Sequence, residues 1–153
     1  MDIRTRSAVA ADVPVLRAVV AAAYGRYRGR MDREPAPLSA DWASIVAAGR
    51  CTVAVAGGEV LGLVVVRVGP GHLLVENLAV TPAAQGRGVG SLLLAGAERE
   101  AVTLGLAEVR LYTNAAMTEN LTFYPARGYA ETGRRIEEGF ARVFFGKRLR
   151  PAP

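Results

Sequence analysis

The sequence predicts one mixed α/β domain, a mostly antiparallel sheet flanked by helices, and three features point to it. β-Branched runs at residues 51–56 and 60–68 are joined by Gly57-Gly58, a strong hairpin signal. At Val89 the apolar period becomes helical, with Val89, Leu93, Ala97, Ala101 and Leu104 on one face. A strand at 73–80, this helix and a strand at 108–113 make a crossover, which sets the two strands parallel.

The other elements follow in chain order. Residues 3–8 read as a first strand, and Asp12 is placed to cap a helix with Val13, Leu16, Val20, Tyr24 and Tyr27 on its apolar face. Residues 28–38 are basic and carry Pro35 and Pro37, hence a loop; Ser39 or Asp41 starts a shorter helix ending near Gly49. Gly69-Pro70-Gly71 ends the second strand of the hairpin, and Gly105 stops the long helix. Residues 120–127 form a short helix that Pro125 kinks, because it cannot bond back to the Leu121 carbonyl. Strands at 129–134 and 140–149 close the order β-α-α-β-β-β-α-β-α-β-β. No repeat, linker or composition break divides residues 1–153, so a single domain is expected.

The chain is 51% hydrophobic and 22% charged, which excludes a disordered class. No apolar run approaches the ~20 residues that cross a bilayer, and the N-terminus lacks the form of a signal peptide. Cys51 is alone and forms no internal disulfide. The expectation is a cytoplasmic protein with no membrane partner. A net charge of +5 raises nucleic-acid binding as a rival. The basic residues are scattered, however, and the aromatic-plus-basic stretch 140–150 alternates like a strand. Nucleic acid is therefore not the expected partner, and an anionic cofactor would use the same surplus. A homodimer stays open.

The segment Gln85-Gly86-Arg87-Gly88-Val89-Gly90-Ser91 lies between a strand and a helix. Its glycines remove Cβ atoms, so backbone N–H groups can converge on an anion such as a diphosphate at the helix's positive end. Arg87 would add charge from the rim. Close packing in a tight turn is the competing reading. No Lys-Ser/Thr follows the last glycine, so this is no Walker loop, and the spacing is wrong for a dinucleotide fingerprint.

Gln85, Gly88 and Gly90 resemble the pyrophosphate motif Gln/Arg-x-x-Gly-x-Gly/Ala of the GNAT superfamily of N-acetyltransferases. Leu78-Ala79-Val80-Thr81-Pro82 is similar to that family's strand ending, and Phe123-Tyr124-Pro125-Ala126-Arg127-Gly128-Tyr129 to its F-Y-x-x-x-G-F/Y segment. The likeness covers nearly the whole chain. It implies transfer of an acetyl group from acetyl-CoA to a primary amine, small or peptide-borne, in a ternary complex. The strands at 73–80 and 108–113 would splay to admit the pantetheine arm. Backbone groups of Leu78, Ala79 and Val80 would hold that arm, with the Leu78 N–H facing the thioester oxygen, and amides of Gln85 through Ser91 the diphosphate. Tyr124 would protonate the departing thiolate; a core tyrosine is the alternative. Met117 and Asn120 stand where the family often has Asn and Ala, which leaves Asn114 or Asn120 to supply the side-chain contact to the cofactor.

Glu76 is the candidate base, a lone carboxylate in an apolar strand, placed by alternation on the face of Leu78 and Val80. A carboxylate buried against an arginine, one that only binds the ammonium, and a water chain to solvent are the alternatives. The family's acceptor pocket falls on Tyr24, Tyr27, Met31, Glu34, Pro35, Pro37, Leu38 and residues 134–140, with Tyr112 lining the slot beside Arg110 and Asn114. In that last stretch Arg134 and Arg135 suit a carboxylate, while Glu137 and Glu138 suit a cation. His72 reads as a turn histidine, Cys51 as core, and no Cys/His set suggests a metal.

Overall fold

The computed structural model describes residues 2–25, 27 and 40–150. In chain order it contains β1 (Arg4–Ser7), a 3₁₀ turn (Ala10–Asp12), α1 (Val13–Gly25), α2 (Trp42–Ala47), β2 (Cys51–Ala56), β3 (Glu59–Gly69) and β4 (His72–Val80). A 3₁₀ turn (Pro82–Ala84), α3 (Val89–Thr103), β5 (Glu108–Asn114), α4 (Asn120–Phe123), a 3₁₀ turn (Pro125–Arg127), β6 (Ala130–Glu137) and β7 (Phe140–Arg148) follow. The expected order holds throughout. The strands form one sheet, β1-β2-β3-β4-β5-β7-β6, in which β4 and β5 alone run parallel.

Each face of the sheet carries a core. On one, α3 buries Val89, Leu93, Leu94, Ala97 and Ala101 against Leu73, Val75, Val109, Leu111 and Phe145. On the other, α1 lays down Leu16, Val19, Val20, Ala23 and Tyr24, the spacing of one helical stripe, with Trp42 of α2 against Val53, Leu63 and Val65. Gly62 of β3 is needed for the first packing. A Cβ there would lie 2.8 Å from the Ala79 carbonyl oxygen and 3.1 Å from Val89 Cγ1.

Two local expectations are corrected. Asp12 does not cap α1 from outside; it sits in the preceding 3₁₀ turn, accepts the Val9 N–H at 2.8 Å and clamps Arg6 at 2.7 and 3.0 Å. That ion pair holds its carboxyl below the usual range, the Arg6 bond being the larger cause. Leu104 is 52% exposed: α3 ends at Thr103, and Leu104 is its C-cap, the residue from which the chain leaves the helix through Gly105 at φ +74°. Asp41 caps α2 as expected, accepting the Ser44 N–H at 3.2 Å.

Pro125 divides the expected 120–127 helix into α4 and a 3₁₀ turn. Gly128 then adopts φ +90°, which lets the Tyr129 N–H return to the Tyr124 carbonyl at 3.2 Å. The spacing of Tyr124, Gly128 and Tyr129 is thus that of a helix-ending turn, and it fixes the backbone of Tyr124.

Candidate active site

The site begins where the sheet comes apart. β4 pairs with β5 only over residues 72–75 against 108–111, so its last five residues leave that edge open. A register shift against β3 coincides with the parting: Val65 faces Asn77, Val66 faces Val75, and Glu76 is the extra residue of a bulge. The Thr81 N–H bonds to Leu61 of β3, and backbone groups alternate sides along a strand. Those of Asn77 and Ala79 therefore point to β3, and those of Leu78 and Val80 into the gap.

The bulge also corrects the placement of Glu76. Leu73 and Val75 before it pack toward α3, but after it Leu78 and Val80 do so, while Ala79 faces the α1 side and Asn77 meets Tyr24 of α1. Glu76 does not share the face of Leu78 and Val80. It stands between Arg50 and Arg67, in ion pairs with both.

One cavity, of about 390 Å³, runs from the gap to the start of α3. Its wall includes Leu78, Ala79, Val80, Gln85, Gly86, Gly88, Val89, Gly90 and Ser91. Gly86 and Gly88 take φ +79° and +81°, a conformation that turns the loop's N–H groups without Cβ strain. Gly88 is the N-cap of α3 and offers no side-chain cap, and the N–H groups of the first helical turn have no carbonyl one turn back. Gly90 lies against Phe123, which a Cβ would approach to 3.3 Å. The Gln85 side chain reaches back to the Val80 carbonyl at 3.2 Å and fastens the loop to the strand. An uncapped helix start, a cradle of glycines and a free strand edge fit the diphosphate and the amide-bearing arm of coenzyme A.

Arg87 is exposed and does not line this cavity; Arg127 does. The Arg127 guanidinium donates to Ser91 Oγ at 2.8 Å and the Phe123 carbonyl at 3.0 Å, and lies 3.7 Å from the Phe123 ring centre. Its signal was its place four residues after Phe123, one helical turn.

A second cavity, of about 400 Å³, opens between α2, β4, β5 and β7. It shares Tyr24, Leu78, Met117, Asn120 and Tyr124 with the first, so the two meet at these side chains. Tyr124 is 5% exposed, boxed by Phe123, Tyr129 and Phe145, and burial pushes its phenol well above the ordinary value. Its hydroxyl makes no hydrogen bond to a described residue. Tyr24 donates to Asn77 Oδ1 at 2.7 Å, a buried contact that the sequence did not suggest.

The asparagines separate. The Asn114 side chain is spent on its own turn, accepting the Ala116 N–H at 2.9 Å, and reaches only the second cavity. Asn120 donates to Thr113 Oγ1 at 3.0 Å and lines both. Tyr112 lines the second cavity under the Arg142 guanidinium, whereas Arg110 turns to Glu108 and lines neither.

Tyr27, expected on the acceptor side, lines the first cavity and bonds Glu119 at 3.2 Å. Arg134 pairs with Glu131 and Arg135 with Glu137 on the face of β6, outside both cavities. Met31, Glu34, Pro35, Pro37 and Leu38 lie outside the described residues. Cys51 is core, its thiol pushed up to about 12 by burial, and His72 holds the Pro70 carbonyl within its turn.

The sequence profile of the Acetyltransferase (GNAT) family matches residues 17–129. A search of curated protein sequences finds no match. Among solved structures, the PaiA N-acetyltransferase of Thermoplasma acidophilum, in complex with coenzyme A, is similar with a TM-score of 0.83 at 17% identity, covering 97% of this chain and 100% of that one. A ribosomal-protein-alanine N-acetyltransferase of Brucella melitensis is similar with a TM-score of 0.76 at 20% identity, covering 95% and 99%. An IAA acetyltransferase of Bacillus cereus gives 0.71 at 21% identity, covering 97% and 100%. At these identities the structures speak for the fold, and the profile speaks for the family. The chain belongs to the GNAT family of acetyltransferases, the acyl-CoA-dependent N-acyltransferases.

Proposed function

We propose that this protein moves an acetyl group from acetyl-CoA to a primary amine, with both bound together and the amine attacking the thioester directly. The observation that carries the reading is the junction of the two cavities at Tyr24, Leu78, Met117, Asn120 and Tyr124. One cavity suits an extended anionic cofactor and the other a smaller partner. Two reactants held on either side of such a junction gain the rate advantage of proximity.

Acetyl-CoA supplies an activated thioester. The Leu78 N–H, turned into the gap, is the preoriented donor for the carbonyl oxygen on which charge builds. Tyr124 donates its phenolic proton toward the sulfur; burial favours the protonated phenol. Asn120 holds the arm beside it. Glu76 is held by Arg50 and Arg67 through Oε1, which leaves Oε2 toward the cavity. Its task is to draw the acceptor's ammonium toward the junction, and the proton leaves through Glu76 or through water in the open cavity.

A thiol-release assay with acetyl-CoA against amines, amino acids, aminoglycosides and peptides tests the reading. We expect turnover with at least one class. Tight acetyl-CoA binding without thiol release across the panel would leave a cofactor-sensing module instead.

A further inference from the structure

We infer that the acceptor carries a carboxylate beside its amine, and that Arg50 and Arg67 in the second cavity hold it. The inference rests on the acetyltransferase reading and names the substrate class of that site.

Charge is the first argument. Arg50 lies just beyond α2, anchored by its Nε to the Val66 carbonyl at 3.1 Å. Its Nη2 and the Nε of Arg67 both go to one atom, Glu76 Oε1. Two guanidiniums thus share a single carboxylate in a half-sheltered corner, where the Arg50 and Glu76 side chains are 24% and 25% exposed. Each guanidinium has five N–H donors, and most of these remain unused by the bonds described. Burial lowers the pKa of Arg50, and the nearby charge of Arg67 adds to the effect.

The other charges on this wall have their own partners. Arg142 is tied to Glu137 and Glu138 and lies over Tyr112 and Phe140. Asp41 is spent on the N–H and hydroxyl of Ser44. Guanidinium donors call for oxygen acceptors, and a carboxylate presents two in the geometry that guanidinium matches.

Reach is the last argument. Glu76 precedes Leu78 by two strand residues, about 6–7 Å. An α-amino acid, its amine one carbon from its carboxylate, covers that distance once a hydrogen bond of about 2.8 Å to the guanidinium is counted, and Glu76 Oε2, without a described partner, is open to the ammonium on the way.

The test compares amino acids with their carboxamides as acceptors, in the unaltered protein, in Arg67→Gln and in Arg134→Gln. Arg67 is 58% exposed along its side chain, so its replacement should fold. We expect kcat/KM to favour the carboxylate by about ten-fold or more, chiefly through KM. Arg67→Gln should bring the ratio toward one, and Arg134→Gln should leave it alone. A ratio near one in the unaltered protein, a preference that survives Arg67→Gln, or one lost in Arg134→Gln overturns the inference. If nothing is acetylated, the transferase reading fails, and melting shifts with CoA present still decide the carboxylate site. A larger shift with the acid than with its amide, lost in Arg67→Gln, supports it, and equal shifts overturn it.

Discussion

Tyr124 shows what burial does to a single side chain. Low dielectric opposes the phenolate, so the group keeps its proton above its ordinary value near 10, which suits the donor role proposed for it. Tyr124→Phe removes the hydroxyl and keeps the ring against Phe123, Tyr129 and Phe145. We expect acetyl-CoA affinity to hold, while single-turnover acetyl transfer falls by about 10² to 10³. The deficit should shrink with a donor whose thiol is more acidic. In the unaltered enzyme this phenol should cause no loss of rate as pH rises from about 8 to 10, because its ionisation lies higher. Tyr124 was legible because a glycine five positions from Phe123 marks its turn. Asn120 was not separable from Asn114, since the difference lies in a local bond to the Ala116 N–H. Arg127 escaped notice for a related reason: its partner, Ser91, is distant in sequence.

Among the elements, period and punctuation were readable. The Gly57-Gly58 hairpin, the α3 stripe and the crossover stand where alternation and glycines put them. The bulge at Glu76 was not, because a one-residue insertion in register leaves an apolar strand looking regular while it reverses every side chain beyond it. Gly62 was likewise silent in sequence, yet β3, β4 and α3 converge on it. Gly62→Ala sets a methyl 2.8 Å from the Ala79 carbonyl oxygen. We expect a loss of about 1–3 kcal/mol, read as a melting midpoint lower by about 2–4 °C per kcal/mol. Because the displaced strand is β4, acetyl-CoA affinity should fall as well. A variant that melts at the original temperature would mean that β3 yields freely at this point.

At the scale of the molecule, four strands on one side and three on the other are joined at β4–β5 through four residue pairs. A ligand lodged there touches both sides and should stabilise the whole. Acetyl-CoA at about 100 times its dissociation constant adds about 2.7 kcal/mol, a rise of several degrees in a thermal melt. Gly88→Asp sets a carboxylate where the diphosphate would lie, in open space around the Cβ but at a φ of +81° that strains any side chain, so the variant should melt lower on its own and show no rise with acetyl-CoA. A rise that persists in this variant would put the diphosphate elsewhere. The sequence conveyed the topology but not the meeting of Arg50 and Arg67, from two separate segments, on Glu76 at the wall of the second cavity.

The parting of β4 and β5 leaves a strand margin unsatisfied within the protein, and such margins are adhesive. In the proposed complex a linear guest bearing amides would complete the sheet as a strand does, in the manner of a peptide added to an edge. The guest-free protein therefore carries a templating surface like those that seed aggregation. It is short, five residues, and lies in a cleft beside Tyr24 and Phe123, where the pantetheine tail of the proposed cofactor would take the place of a strand.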